Sequence, residues 1–404
     1  MSWFLAFLGF ALLVLLHELG HFAAAKSVGM RVEKFSLFFG RPIWKIQRGE
    51  TQYQVSWIPL GGFVKITGMN PEEELEPEIK ARSYSGSPVW KRIYVIAAGP
   101  FVNFLIAFLI LGGLYMVEGR AVPGVAVTSV EQGFGADGVL QENDRLISVS
   151  APAAAASTAG KASDGASAAV DRTVAVDGRN LSEKEATARV KAARDLISTG
   201  GCGAESIGKG KAGEPQVAPC ATPQPLTIVV ERDGQKLVKQ VTPQYDDKLK
   251  RYRLGIAFGS PLEPANVPEA ASESVATMWL VTHRTVEAMA KVVYDPQARK
   301  EVSSVVGGYE TTRQSIEVDT AQALFVIGLI SLSLAIINLF PFLPLDGGHI
   351  FWALVEKARG GRPVSTATLE KASIIGFALV GMLFLLGVTN DINRITSGTG
   401  FGVR

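Results

Sequence analysis

Four stretches of this chain, at about 3–25, 94–117, 321–343 and 372–389, are apolar over a length that matches the core of a lipid bilayer. That core is about 30 Å thick and takes roughly 17–25 helical residues to cross. Inside it an unpaired backbone group finds no water, so the segments that cross are helices with their hydrogen bonds closed internally. The expected fold class is therefore a polytopic α-helical membrane protein with about four transmembrane helices. Composition agrees. Of 404 residues 47% are hydrophobic and 19% charged, with a mean hydropathy of +0.21, which excludes a disordered polar chain. A formal net charge of +2 gives no electrostatic case for nucleic acid. Ala23 and Ala25 form the A-x-A pattern of a cleaved signal peptide. However, no basic region precedes the apolar run, and His17, Glu18 and His21 interrupt it.

Charge sorting sets an orientation. The segment between the first two spans is rich in basic residues, from Lys26 and Arg31 to Lys91 and Arg92. The segment between the last two spans holds Lys357, Arg359, Arg362 and Lys371. By the positive-inside rule both face the cytoplasm, so both termini and the long segment 118–320 are expected outside. The chain then divides into a membrane half over 1–120, a small mixed domain over 121–260, a linker over 261–320 and a second membrane half over 321–404.

In the small domain, Val125 to Val130 and Arg145 to Val149 read as strands, and Ser182 to Ile197 as a helix opened by a Ser182/Glu185 capping box. Leu226 to Arg232 and Gln235 to Val241 flank Asp233-Gly234, a hairpin signal. Two Ala/Ser/Gly/Pro-rich insertions, 150–173 and 199–225, read as loops. The second contains Cys202 and Cys220, which either form a disulfide on the oxidising side of the membrane or stay as two thiols. Beyond the domain, Val275 to Val293 reads as an amphipathic helix that lies at the membrane surface or against the small domain.

The chemistry concentrates in His17-Glu18-Leu19-Gly20-His21. Residues four apart on a helix project from one face, so the two imidazoles can bind one Zn²⁺, with Glu18 beside them as a general base toward water. Ionisable groups inside a span are costly and mark functional sites. A catalytic zinc takes three protein ligands. If the spans alternate in direction, the C-terminal ends of the first and third share a leaflet, which nominates Asp346 as the third ligand. His349 competes for the role from three residues on. Around Asp346, Pro341, Pro344, Gly347 and Gly348 announce an interrupted helix, and such backbone persists at membrane depth only when buried in protein or lining a cavity.

Together with Ile58-Pro-Leu-Gly-Gly-Phe-Val-Lys65, Ala98-Gly-Pro-Phe-Val-Asn103 and Asn338-Leu-Phe-Pro341, these motifs resemble, in the expected order, the site-2 protease family of intramembrane zinc metalloproteases, and within it the bacterial regulators of sigma-E signalling. The resemblance implies one zinc per chain held by His17, His21 and Asp346, and water activated by Glu18. It implies that Asn338 positions substrate or a developing oxyanion. The stretch from Thr51 to Lys65 resembles the family's membrane-associated β-hairpin, whose edge pairs with substrate through Tyr53, Val55, Trp57, Gly61 and Gly62. The inserted domain resembles a PDZ domain, acting as a size filter or a peptide binder. The implied enzyme sits in a bacterial cell membrane and cuts single-span proteins, such as an anti-sigma factor already trimmed by another protease. The chain departs from its nearest likenesses in having one PDZ-like domain rather than two, in a second proline one position late at Pro344, and in Ser303 to Tyr309, where they carry a Ser-Gly-Pro motif. A metal carrier or a membrane adaptor would share the metal ligands but has no use for Glu18.

Overall fold

The computed structural model describes residues 1–70, 73, 75–151, 172–176, 183–198, 207–209, 215–217 and 223–397. In chain order the elements are α1 (Ser2–Ser27), β1 (Val32–Arg48), β2 (Thr51–Ile66), α2 (Pro77–Lys80) and α3 (Val89–Val117). There follow β3 (Arg120–Ala121), β4 (Ala126–Val130), β5 (Arg145–Ala151), β6 (Arg172–Ala175), α4 (Glu183–Ser198), β7 (Ile207–Lys209) and β8 (Pro215–Val217). Next come β9 (Leu226–Arg232), β10 (Gln235–Val241), β11 (Gln244–Asp246), β12 (Arg251–Arg253), β13 (Ile256–Gly259) and β14 (Leu262–Glu263). The chain ends with α5 (Val267–Val292), α6 (Pro296–Glu301), α7 (Val305–Val318), α8 (Thr320–Asn338), α9 (Asp346–Ala358) and α10 (Thr366–Ser397). Two compact units result, one from Met1–Val117 with Ala265–Arg404 and one from Glu118–Pro264.

Four helices, α1, α3, α8 and α10, are long and apolar enough to cross a membrane. Many of their large side chains, such as Phe4, Phe101, Leu109 and Phe377, are exposed on the protein surface, as lipid-facing residues must be. The contacts that organise this unit run through α3. Ala107 of α3 packs with Leu332 and Ile336 of α8, and Met278 and Val281 of α5 join them. The amphipathic helix expected over 275–293 is thus longer, Val267–Val292, and its Met278 and Val281 pack on α3 and α8. The Arg92 guanidinium donates two hydrogen bonds, of 2.6 and 2.9 Å, to the Glu356 carboxylate, tying the third turn of α9 to the start of α3.

The second span begins earlier than expected, at Val89 rather than 94, and the last two change at their C-terminal ends. The third stops at Asn338 instead of 343, and a tight non-helical passage carries the chain to a new helix that begins at Asp346. The fourth runs past 389 because its polar end has partners. Fully buried Asp391 accepts from Ser303 Oγ (2.8 Å), Ser304 N (2.7 Å), Ser304 Oγ (2.6 Å) and Gly307 N (2.9 Å), which caps α7 with a residue of α10. Neither α6 nor α7 was expected from the sequence.

The unit 118–264 centres on a sheet in the order β10-β9-β5-β4-β13, with β6 also pairing β5. Its core gathers Val127, Leu146, Val149, Ile228 and Val230 from the sheet with Leu196 and Ile197 from α4. The insertions are not wholly loop. Arg172–Ala175 pairs with β5, and Ile207–Lys209 pairs with Pro215–Val217. Cys202, Cys220 and the capping residue Ser182 lie outside the described residues, as does 152–171.

Strands β1 and β2 each bend and fold back, so that four segments lie side by side. Trp44–Arg48 faces Thr51–Val55, Gln52–Val55 faces Lys34–Leu37, and Lys34–Leu37 faces Gly62–Lys65. The turn is moored to the membrane unit by Glu50, which accepts from Arg82 (2.9 and 3.0 Å) and Lys26 (2.7 Å); these two cations hold its carboxyl down at about 2.

Candidate active site

The local sequence explains how the donors meet. His17 and His21 face the same side of α1, both more than nine-tenths buried, with rings 4.9 Å apart and nearly perpendicular. Asp346 reaches them because the chain after α8 doubles back over the start of α9. A Cβ on Gly347 would collide with the carbonyl of Leu339, and one on Gly348 would lie 2.5 Å from the backbone of Leu343. The paired glycines therefore let the passage 339–345 lie directly on the first turn of the helix, with Asp346 as its first residue.

His17 Nε2, His21 Nε2 and Asp346 Oδ2 form a triangle with all three sides 3.3 Å. A tetrahedral ion with donors at about 2.0–2.1 Å needs donor separations of about 3.3–3.4 Å, so the triangle has the size of one face of a zinc tetrahedron. Asp346 Oδ2 is buried and has no hydrogen-bond partner, which a metal would satisfy. Among the described residues this is the group of three donors able to hold an ion, and His349, on the same helix as Asp346, is not part of it. Asn338, at the end of α8, brings its amide to 3.5 Å from His17 Nε2.

Glu18 follows His17 in the chain, 100° further round α1, and contributes no atom to the triangle. A Cβ on Gly62 would lie 2.8 Å from Glu18 Cγ and 3.3 Å from Val14 Cγ1, so the glycine brings β2 hard against α1 beside the glutamate. Gly61 adopts a φ of +127° with the Phe39 ring over it.

Tyr53 and Val55 need a correction. Tyr53 faces Phe35 on one side and Ile46 on the other, and Val55 faces Leu37 and Trp44, so neither backbone is free to pair with another strand. The Tyr53 ring packs 5.8 Å from Phe22 and 6.1 Å from Phe35, and Trp57 is two-thirds exposed at the far end. The segment whose outer side has no strand partner among the described residues, and which runs past Glu18, is Gly62–Lys65.

Residues of α3 enter the site as well, and none was assigned a role from the sequence. Val95 O takes a 2.9 Å hydrogen bond from His21 Nδ1, Gly99 lies under the His21 ring, and the Asn103 side chain meets His17 Nδ1 at 3.1 Å. The signal was available: Asn103 is a lone amide in an apolar span. A Cβ added at Gly99 would overlap the His21 imidazole, within 2.6 Å of Cε1. The ring cannot retreat without leaving the triangle. Gly99→Ala is therefore expected to lower zinc affinity by about 10-fold or more, in the range seen when ligand support is lost. Chelator competition on purified protein measures it, and unchanged affinity would show that the helices separate freely there.

Two imidazoles and a carboxylate set for one tetrahedral ion, beside a glutamate and among helices long enough to span a bilayer, define a membrane metallopeptidase. Comparison with known proteins gives the same class. Residues 5–383 match the model of Peptidase family M50, so the chain belongs to that family and is a zinc metalloendopeptidase. Zinc metalloprotease Rip1 of Mycobacterium tuberculosis is 30% identical over 94% of this chain and 94% of its own length. A Rhizobium meliloti protein whose name assigns it provisionally to the zinc metalloproteases is 27% identical over 95% of this chain and 94% of its own. A Campylobacter jejuni protein named in the same way is 28% identical over 95% and 91%.

Proposed function

We propose that this chain cuts a transmembrane segment of a single-span protein, with zinc held by His17, His21 and Asp346. The observation that carries the proposal is the 3.3 Å donor triangle among helices long enough to span a membrane, with Glu18 next to His17 in the chain and close against Gly62. Zinc bound there would supply Lewis acidity, polarising a peptide carbonyl and acidifying water. Glu18 takes the proton from water and delivers it to the leaving amine. Asn338 donates its amide N–H toward the oxygen that gains charge. A substrate helix hides its carbonyls in its own hydrogen bonds and must unwind before attack. Pairing of the unwound strand with Gly62–Lys65 replaces the bonds it gives up.

The basic segments between spans support an active site on the cytoplasmic side, with the unit 118–264 and both termini outside in a bacterial cell membrane. On that reading the outer unit is PDZ-like and admits substrates whose ectodomain another protease has shortened, an anti-sigma factor being one class. The test uses the purified full chain in liposomes with a single-span protein. Fragments cut inside the span should appear with zinc, vanish on chelation and return on re-addition. Cleavage only in the flanking soluble segments, or cleavage indifferent to chelation, would overturn the proposal.

A further inference from the structure

Val95, Gly99 and Asn103 stand at i, i+4 and i+8, so they form one stripe on α3, and all three are buried against the histidines of α1. The stripe treats the two rings in parallel. His21 gives its Nδ1 proton to a main-chain oxygen, Val95 O, which leaves Nε2 as a bare lone pair facing the triangle. His17 must present the same nitrogen to the same point, so its Nδ1 must carry the proton and needs an acceptor. The group at Nδ1 is the Asn103 amide, fully buried, with its nitrogen placed 3.1 Å away. An amide offers either its oxygen or its nitrogen through a half-turn of the side chain, and the network decides which. With the nitrogen toward His17, Asn103 Oδ1 is a buried acceptor without a partner and the His17 proton is forced onto Nε2, into the triangle. With the oxygen toward His17, an acceptor is satisfied and Nε2 is free.

We infer that Asn103 is a positioning residue for the metal centre, accepting the Nδ1 proton of His17 through its side-chain oxygen and so fixing the ring and tautomer that face zinc. The inference rests on the reading that His17 is a ligand. The Asn103 backbone strengthens the placement, because its carbonyl accepts a 3.0 Å hydrogen bond from Ser331 Oγ of α8, fixing that turn of α3 from its other side. Ligating histidines commonly give their second N–H to such a partner, and losing it costs about 10–100-fold in metal affinity or activity.

The test measures zinc affinity of the full chain in detergent by competition with a chromogenic chelator. Asn103→Leu keeps the volume and removes the acceptor, and should weaken zinc by about 10–100-fold. Asn103→Asp keeps an oxygen acceptor and removes the donor, and should stay close to the unaltered protein. In zinc-free protein, ¹⁵N-histidine spectra should show the Nδ1–H form of His17 with Asn or Asp at 103 and lose it with Leu. A role in helix packing alone would not move that spectrum. Unaltered zinc affinity in Asn103→Leu, or an Asn103→Asp protein as weak as the Leu one, overturns the inference. If the Leu protein does not fold, the Asp protein decides by the same criterion. His17→Ala is the reference: unchanged zinc there overturns the ligand reading itself, while unchanged zinc in the Asn103 variants alone overturns only this step.

Discussion

Glu18→Gln should abolish cleavage of a membrane substrate while leaving the zinc content of the protein unchanged. The two halves of that expectation rest on different observations. Zinc is expected to stay because Glu18 contributes no atom to the triangle, whose three donors are His17, His21 and Asp346. Cleavage is expected to fail because an amide of the same shape cannot take a proton. General-base catalysis contributes about 10²–10⁴-fold, and the rate should fall by at least that range. Misfolding is a poor rival explanation. The side chain is half-buried in a membrane helix, where a neutral amide costs less to bury than a carboxylate, so the variant should be at least as stable. Cleavage of a co-expressed single-span protein, read by immunoblot beside metal analysis of the purified variant, checks both. Processing within a few-fold of the unaltered chain would remove Glu18 from the mechanism. Loss of zinc would show instead that the glutamate supports the metal.

The parts of this structure legible in advance were those where one segment decides its own conformation. Uniform apolar runs placed the four helices long and apolar enough to cross a membrane, because a segment that must satisfy its backbone inside lipid has few alternatives. Asp233-Gly234 marked the β9–β10 turn because both residues adopt positive φ, +52° and +75°. His17 and His21 were legible as a pair from their spacing, and Asp346 from the direction in which alternating spans must run. What escaped depends on partners distant in the chain. Thr51 to Lys65 resembled a hairpin with a free edge at Tyr53 and Val55, but Lys34–Leu37 and Trp44–Arg48 cover both sides of those residues, and nothing in residues 51–65 records that. Helix α10 outran its apolar stretch because Asp391 finds Ser303, Ser304 and Gly307 about 85 residues earlier in the chain. Asn103 stood inside a recognisable motif but was not legible as a neighbour of His17, since 86 residues separate them.

Asp346→Ala should release zinc from an otherwise folded protein. Removing the carboxylate leaves two imidazoles, and two donors do not make the three-ligand site that a catalytic zinc uses. The loss should exceed the 10–100-fold typical of altered ligand support, so roughly 100-fold or more is expected. Two effects on folding oppose each other. The aspartate stands in the first turn of α9, where a negative charge stabilises a helix by about 0.3–1 kcal/mol, and alanine forfeits that. Yet Oδ2 is a buried oxygen whose only close polar neighbours are the two imidazoles at 3.3 Å, and its removal relieves part of a desolvation cost of about 1–3 kcal/mol. The zinc-free variant should therefore melt at or above the temperature of the zinc-free parent, while zinc should raise the melting temperature of the parent alone. His349 supplies the decisive control. It lies less than one turn further along α9 and is the obvious substitute donor from the sequence. If it were the true third ligand, His349→Ala would lose zinc and Asp346→Ala would keep it. The triangle predicts the reverse order, because Asp346 Oδ2 is already 3.3 Å from both imidazole nitrogens and His349 is not among the converging donors.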